Sequence, residues 1–331
     1  MSTLNEVDGK TIQYTKGAPD VILKHCTNVD EAKILEANKS MADKALRVLA
    51  CAYREADSIE EDEMTFIGLV GMIDPVRPEV ADAIAKCERA GIKPIMITGD
   101  HINTACAIAR ELNILSGDCN AVSGLQLDDM SDEEFAHEFQ NISVYARVRP
   151  EHKTRIVKAW QNAGYVVAMT GDGVNDAPSI KTADIGVGMG ITGTDVTKNV
   201  ADMVLSDDNF ATIVNAVEEG RRIYENIIKC IQYLLSSNIG EVLGVFFASL
   251  FGFTLMLPVH LLWVNLVTDC VPALALGLEE KEPKIMQRKP RPKTDGVFAD
   301  GMGFDIIYQG IIITALIMFS YFVGVFIDTG S

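Results

Sequence analysis

Three apolar runs, at residues 234–253, 255–278 and 306–327, constrain this chain more than any other feature. Each is long enough to cross a hydrocarbon layer of roughly 30 Å, where every backbone polar group must find an internal partner. The runs start only after about residue 223; before it, apolar and charged stretches alternate as in a soluble α/β protein. Between the second and third run lie Lys281, Lys284, Arg288, Lys289, Arg291 and Lys293 among several prolines. A short basic connection beside membrane spans is expected on the cytoplasmic side. The first two spans form a hairpin, so the soluble part is expected on that side too. The pattern predicts membrane helices at about 223–253, 256–278 and 306–327, with a cytoplasmic loop at 279–305. The first 24 residues are mixed polar, unlike a signal peptide.

In the soluble part, apolar runs at 66–73, 94–98, 143–146, 166–170, 185–189 and 203–205 read as buried strands. Segments 80–90, 104–112, 151–163 and 213–224 carry helical periodicity. Strands alternating with helices predict an α/β, doubly wound parallel sheet, with chemistry in the loops that leave the strand ends. A net charge of −17, from 46 acidic and 29 basic residues, argues against a nucleic-acid binder. Seven cysteines without a C-x-x-C pair read as thiols in a reducing compartment, not as a disulfide framework or zinc site.

Three motifs fall at strand ends. Thr98-Gly99-Asp100 offers a hydroxyl and backbone amides at a helix entrance, which suits phosphate oxygens; it also suits a plain turn with a helix cap. The run Thr170-Gly171-Asp172-Gly173-Val174-Asn175-Asp176-Ala177-Pro178 combines close backbone approach with two hard carboxylates and a neutral amide, a setting for magnesium. Arg147-Val148-Arg149-Pro150-Glu151-His152-Lys153 puts Lys153 in the first turn of a helix, where it gains nothing from the helix dipole. It reads as a solvated charge or, one strand before the acidic loop, as a phosphate-binding group.

In this order the motifs resemble the haloacid-dehalogenase phosphotransferase core, which needs a nucleophilic aspartate after its first strand. The wording Met96-Ile97-Thr98-Gly99-Asp100 and that of residues 169–178 narrow the resemblance to P-type cation-transporting ATPases. So do Asp74-Pro75-Val76-Arg77, Lys16-Gly17-Ala18-Pro19-Asp20 and Val204-Leu205-Ser206-Asp207-Asp208-Asn209-Phe210. That family carries its phosphorylated aspartate in an Asp-Lys-Thr-Gly-Thr segment, which this sequence does not contain. The expected fold is therefore haloacid-dehalogenase-like, incomplete at its N-terminal strand, followed by an α-helical transmembrane domain. The resemblance implies a nucleotide-binding remnant at 1–65, a phosphorylation domain at 66–222 and membrane helices at 223–331. By itself such a chain is expected to be inactive and to need the N-terminal part of a pump.

The resemblance also assigns roles. Lys16 and Arg47 would belong to an ATP pocket, although Arg47 also reads as an ordinary helix-surface charge. Thr98 and Asn175 would hold the phosphoryl group, Lys153 would neutralise its charge, and Gly99 would help bind ATP. Asp172 would coordinate Mg2+, and Asp176 would support the loop. Asp100 and Arg147 would contact the nucleotide or the domain that delivers it, and Asp74 and Arg77 would tie the hinge.

In the membrane part, Asn238 and Glu241 stand one helical turn apart, and Asn265, Thr268 and Asp269 share one face. Ionisable groups at bilayer depth usually mark ion pathways; interhelical polar contacts are the alternative. Carboxylate, amide and hydroxyl oxygens suit a hard cation such as calcium, and Pro272 is expected to break the helix and free carbonyls nearby. Residues 237–241 and 263–269 resemble the fifth and sixth transmembrane helices of calcium pumps. The function implied is ATP-driven calcium export through an aspartyl-phosphate cycle, in a multi-pass protein of a bacterial plasma membrane. The alternatives are a membrane-tethered phosphohydrolase and the non-catalytic half of a split pump.

Overall fold

The computed structural model describes the chain apart from residues 28, 43–45, 73–75, 116–119 and 330–331 and the side chains of residues 47 and 329. Asp74 and the side chain of Arg47 thus lie outside the described residues. The chain divides into two compact units, Met1–Glu88 with Ile92–Ala211, and Arg89–Gly91 with Thr212–Ser331.

The first unit opens with a four-stranded antiparallel sheet: β1 (Ser2–Val7), β2 (Lys10–Gly17), β3 (Arg47–Glu55) and β4 (Thr65–Met72), paired in that order. Asp8 and Gly9 both have positive φ between the Val7↔Lys10 pair, the two-residue Asp-Gly turn that matches strand twist. Helices α1 (Pro19–Ile22) and α2 (Glu31–Ala42) lie between β2 and β3. Of the run at 66–73, expected in the parallel sheet, the described residues 66–72 belong instead to this antiparallel one. Their alternating exposure, period two, is that of a strand with one covered face.

The remaining strands of the unit are parallel and form two three-stranded ladders. Helix α3 (Pro78–Arg89) leads to β5 (Met96–Thr98), α4 (Ile102–Glu111), β6 (Ala121–Ser123), α5 (Gly124–Asp129), α6 (Asp132–Glu138), β7 (Val144–Ala146) and α7 (Pro150–Asn162). Then follow β8 (Ala168–Gly171), α8 (Ala177–Thr182), β9 (Ile185–Met189), α9 (Asp195–Val200) and β10 (Met203–Leu205). The ladder orders are β5-β7-β6 and β8-β9-β10, so β5 and β8 are both edge strands. All three residues of β7 are buried. Val144 and Ala146 pack with Ala105 and Ala109 of α4, while Tyr145 packs with Phe135, Ile156 and Trp160 of α6 and α7. That alternation fixes both helical layers on one central strand.

One carboxylate closes the end of this unit. Asp208 accepts hydrogen bonds from the backbone N–H groups of Gly190 (2.6 Å), Ile191 (3.0 Å) and Thr192 (2.7 Å), and from the Thr192 hydroxyl (2.8 Å). Arg77 in turn donates to the Asp208 carbonyl at 3.0 Å.

The second unit holds three helices long and apolar enough to cross a membrane. Helix α10 (Phe210–Phe251) is one 42-residue helix, joining the expected 213–224 segment to the first membrane run. The second span comprises α11 (Pro258–Trp263), a π-helical turn over Val264–Asp269, and α12 (Cys270–Gly277). The third is α13 (Met302–Thr329). Helices α10 and α13 cross at glycines: a Cβ on Gly240 would lie 2.5 Å from Ile313 Cγ2, and one on Gly310 2.5 Å from Ile239 Cγ2. Beside that crossing the Thr314 hydroxyl donates to the Gly310 carbonyl at 2.8 Å, and Ser236 donates to Gln309 Oε1 at 3.0 Å. The basic loop is tied back to α10: Arg221 donates to the carbonyls of Ile285 and Arg288, and Arg288 pairs with Glu225. Cys26, Cys51, Cys87, Cys230 and Cys270 keep their thiols, whereas Cys106 is disulfide-bonded, which corrects the reading of every cysteine as a thiol.

Burial alone would raise the Asp208 pKa, but the N–H groups of Ile191, Thr192 and Gly190 and the Thr192 hydroxyl outweigh it and hold the group to about 2. A carboxyl depressed by folding stabilises above its unfolded value of about 4, and that stabilisation is lost as pH falls through the folded value. Asp208→Asn is therefore expected to lower Tm at neutral pH and to weaken the acid dependence between about pH 4 and pH 2. Melting curves of the two proteins across that range check it, and parallel acid dependences would refute it.

Candidate functional site

The strand-end loops of the first unit form two side-chain groups. After β5, the Thr98 hydroxyl donates to Asp100 Oδ2 at 3.0 Å and accepts from the Asp100 N–H at 3.1 Å. Arg147, at the end of β7, donates its N–H to the Asp100 carbonyl at 3.2 Å and has a left-handed backbone (φ 49°). A Cβ on Gly124 would come within 2.3 Å of the Arg147 carbonyl, so that position admits only glycine. Thr98, Gly99, Asp100 and Arg147 are thus held together by backbone geometry, with the Asp100 and Arg147 side chains exposed.

The second group centres on Asp176. Its Oδ1 lies 2.5 Å from Lys153 Nζ, and its Oδ2 accepts from the N–H groups of Asp172 and Gly173 at 3.3 Å each. The two side chains are only 18% and 10% exposed, so Lys153 is no solvated surface charge. Gly171 is required here, since a Cβ would lie 2.4 Å from that of Asp176. The Asp172 carbonyl is taken by the Thr194 N–H (2.9 Å), but the Asp172 carboxylate and the Asn175 amide face outward without a partner among the described residues. Magnesium is usually held by one or two carboxylates together with substrate phosphates. One free carboxylate beside a neutral amide fits that pattern, and Asp176, with both oxygens occupied, does not.

Sequence reasoning missed what aims Lys153. His152, one residue earlier and buried, sits 2.8 Å from Asp128 Oδ1 and accepts the Arg149 N–H on Nδ1 at 3.2 Å. The hydrogen bond from His152, helped by the Arg149 charge and opposed by burial, holds the Asp128 carboxyl below its usual range. This cluster anchors the first turn of α7. Lys16 lies on β2 opposite Cys51, with its side chain exposed and, among the described residues, no bond to the strand-end loops.

In the second unit, Glu241 and Asp269 are 7% and 2% exposed. Asn265 donates to Glu241 Oε2 at 3.1 Å, and Ser237 donates to Asp269 Oδ1 at 2.9 Å. The other oxygen of each carboxylate, Glu241 Oε1 and Asp269 Oδ2, is buried without a partner among the described residues. The structure therefore joins Asn265 to Glu241 and Ser237 to Asp269. It leaves Asn238 bonded to its own helix, at the Leu234 carbonyl (2.8 Å), and the Thr268 side chain exposed. Among the described residues no three acidic, histidine or cysteine side chains meet, so a cation here would also use amide, hydroxyl or carbonyl oxygens. Pro272 does not break the helix as expected. The chain widens into the π-turn ahead of it, and the Thr268 carbonyl accepts the Tyr233 hydroxyl at 3.0 Å. Tyr233 and Ser237 were also missed, though their spacing with Glu241, four residues apart, places all three on one face.

The family model of haloacid dehalogenase-like hydrolases matches residues 7–184, and that of the cation transporting ATPase C-terminus matches residues 253–331. The chain belongs to the haloacid dehalogenase-like hydrolases and, within them, to the P-type cation-transporting ATPases. It is 48% identical over 349 residues to calcium-transporting ATPase 1 of Bacillus cereus, which covers 100% of this chain and 39% of that relative. A calcium-transporting ATPase of Bacillus subtilis is 50% identical over 326 residues, 92% of this chain and 37% of the relative. An endoplasmic reticulum calcium ATPase of Aspergillus fumigatus is 42% identical over 355 residues, 97% and 36% respectively. The chain thus spans well under half the length of these relatives.

Removing one partner of a buried ion pair typically costs about 3–5 kcal/mol. Asp176→Ala also frees two loop N–H groups, so a loss of about that size is expected in denaturant unfolding, with part of it restored in the Lys153→Met/Asp176→Ala double variant. A single-variant loss below about 1 kcal/mol would mean the pair behaves as a surface contact.

Proposed function

We propose that this chain is the C-terminal part of an ATP-driven calcium exporter that works through an aspartyl-phosphate cycle. The observation that carries the reading is the pair of buried carboxylate oxygens, Glu241 Oε1 and Asp269 Oδ2, left without partners on helices fit to span a membrane. Such groups are costly at bilayer depth and are retained where they bind or move charge. The calcium-transporting names of the relatives support calcium as the cargo. Oxygen ligands of this kind are those a hard cation prefers.

In this reading residues 1–65 contribute to the nucleotide-binding domain, with Lys16 and Arg47 in its pocket. Residues 66–222 form most of the phosphorylation domain, and residues 223–331 are membrane helices with a cytoplasmic loop at 279–305. The phosphoryl acceptor is an aspartate supplied from outside these residues. Thr98 and Asn175 bind the phosphoryl oxygens through hydroxyl and amide hydrogen bonds, with the Gly99 backbone beside them. Lys153, steered by Asp176, offsets the charge that accumulates during transfer. Asp172 would hold magnesium, which when bound polarises the phosphoryl group. Asp100 and Arg147 meet the nucleotide or the domain that brings it.

Transport then follows as a population shift between two accessibilities of the Glu241–Asp269 site, biased by the phosphorylation state. Asn238, Asn265 and Thr268 add amide and hydroxyl oxygens when the remaining membrane helices enclose the site. A bacterial plasma membrane, with the soluble part in the cytoplasm, is the setting this reading assigns.

The test is ATP-driven calcium uptake by the complete protein in sealed vesicles. Glu241→Gln and Asp269→Asn are each expected to weaken apparent calcium affinity by at least about tenfold. Uptake that is unchanged in both variants would sink the assignment.

A further inference from the structure

We propose that Ser237 is a positioning residue of the cation site, which holds Asp269 so that it presents a single oxygen to the cation. The proposal rests on the reading of Glu241 and Asp269 as cation ligands.

One face of α10 forms a ladder to the second span. Asn226 donates to the Gly277 (3.3 Å) and Glu279 (2.9 Å) carbonyls, Cys230 to the Ala273 carbonyl (3.1 Å) and Tyr233 to the Thr268 carbonyl (3.0 Å). Ser237 then donates to Asp269 Oδ1, and Glu241 accepts from Asn265. The five positions recur every three or four residues, so they share one stripe. Their partners run backwards from Glu279 to Asn265, as an antiparallel pair requires, with Thr268 and Asp269 exchanged at the π-turn. The first three rungs end on backbone carbonyls, and the last two end on the site itself.

The Tyr233 rung has a covalent cause. In an α-helix the Thr268 carbonyl would accept from the N–H of residue 272, and Pro272 has none. The phenol takes up that carbonyl, which would otherwise compete for a cation or for a neighbouring donor. It also pins the π-turn that carries Asn265 and Asp269.

Ser237 settles which oxygen of Asp269 remains. A carboxylate can bind calcium through one oxygen or both. With Oδ1 held by the Ser237 hydroxyl, only Oδ2 is open, and on Glu241 the Asn265 amide leaves only Oε1. Two single-oxygen ligands leave room around a large ion for the six to eight oxygens calcium takes. Without the hydroxyl, Asp269 is free to turn and chelate with both oxygens. The small bite of such a chelate fits a large ion with six to eight ligands better than a smaller octahedral ion such as manganese, so losing the hydroxyl shifts the preference between the two.

Equilibrium binding of radioactive calcium to the complete protein, with manganese as competitor, tests this. Ser237→Ala is expected to weaken calcium binding about tenfold, the effect of losing one hydrogen bond to a charged group, and to weaken manganese more, widening the calcium-to-manganese preference. Ser237→Thr, which keeps the hydroxyl, is expected to retain both. Tyr233→Phe is expected to weaken calcium several-fold by releasing the turn. If Ser237→Ala does not yield monodisperse protein, Ser237→Cys, with a weaker donor of similar size, is measured in its place, with a smaller loss of the same kind expected. An unchanged ion preference, or equal loss for both ions that Ser237→Thr fails to restore, overturns the proposal by leaving Ser237 a packing role. Failure of the underlying reading looks different: Asp269→Asn would then bind as much calcium as the unaltered protein.

Discussion

A carboxylate taken out of water must find partners for its oxygens or bind something that replaces them. That constraint organises both units, and they answer it in opposite ways. Asp176 is fully occupied: one oxygen meets Lys153, and the other gathers two loop N–H groups. Its loop is consequently a rigid frame, from which the Asp172 carboxylate and Asn175 amide project. Glu241 and Asp269 are each half occupied, and the unsatisfied halves lie buried between apolar helices. A satisfied carboxylate builds structure, whereas a half-satisfied one marks a place where a charged ligand completes the structure.

Backbone groups obey the same rule with smaller stakes. The widened turn over Val264–Asp269 and the missing N–H of Pro272 would leave a carbonyl exposed in the apolar layer, and Tyr233 covers it. Asn226 does the same for the carbonyls that end α12. In the first unit Asp208 gathers the N–H groups of the loop after β9, and Arg77 reaches its carbonyl. The polar residues that look misplaced on these elements are largely there to close such gaps.

Much of the architecture was legible because it depends on local pattern. Strands β9 and β10 coincide with the apolar runs at 185–189 and 203–205, and α7 begins one residue before the periodic segment at 151–163. The antiparallel sheet was harder to read. Its strands mix lysine, glutamine and threonine with apolar residues, because Gln13 and Thr15 are buried through mutual hydrogen bonding and not by apolarity. The Asp8-Gly9 turn was the available signal. The start of α10 was placed late because its first turns are amphipathic and its later ones apolar, so a change of composition looked like a change of element.

The sequence by itself determined where the membrane helices fall, which loops leave the parallel strands and which residue types stand in them. Apolar periodicity, glycine positions and motif order are properties of neighbouring residues, so they survive without knowledge of the fold. Only the tertiary structure decided which oxygen of each carboxylate is used. The partner of Asp176 is 23 residues away, that of Glu241 is 24, and that of Asp269 is 32. Those pairings are set by how helices pack and turn, and a one-residue change in helix phase, such as the π-turn introduces, re-aims every side chain beyond it.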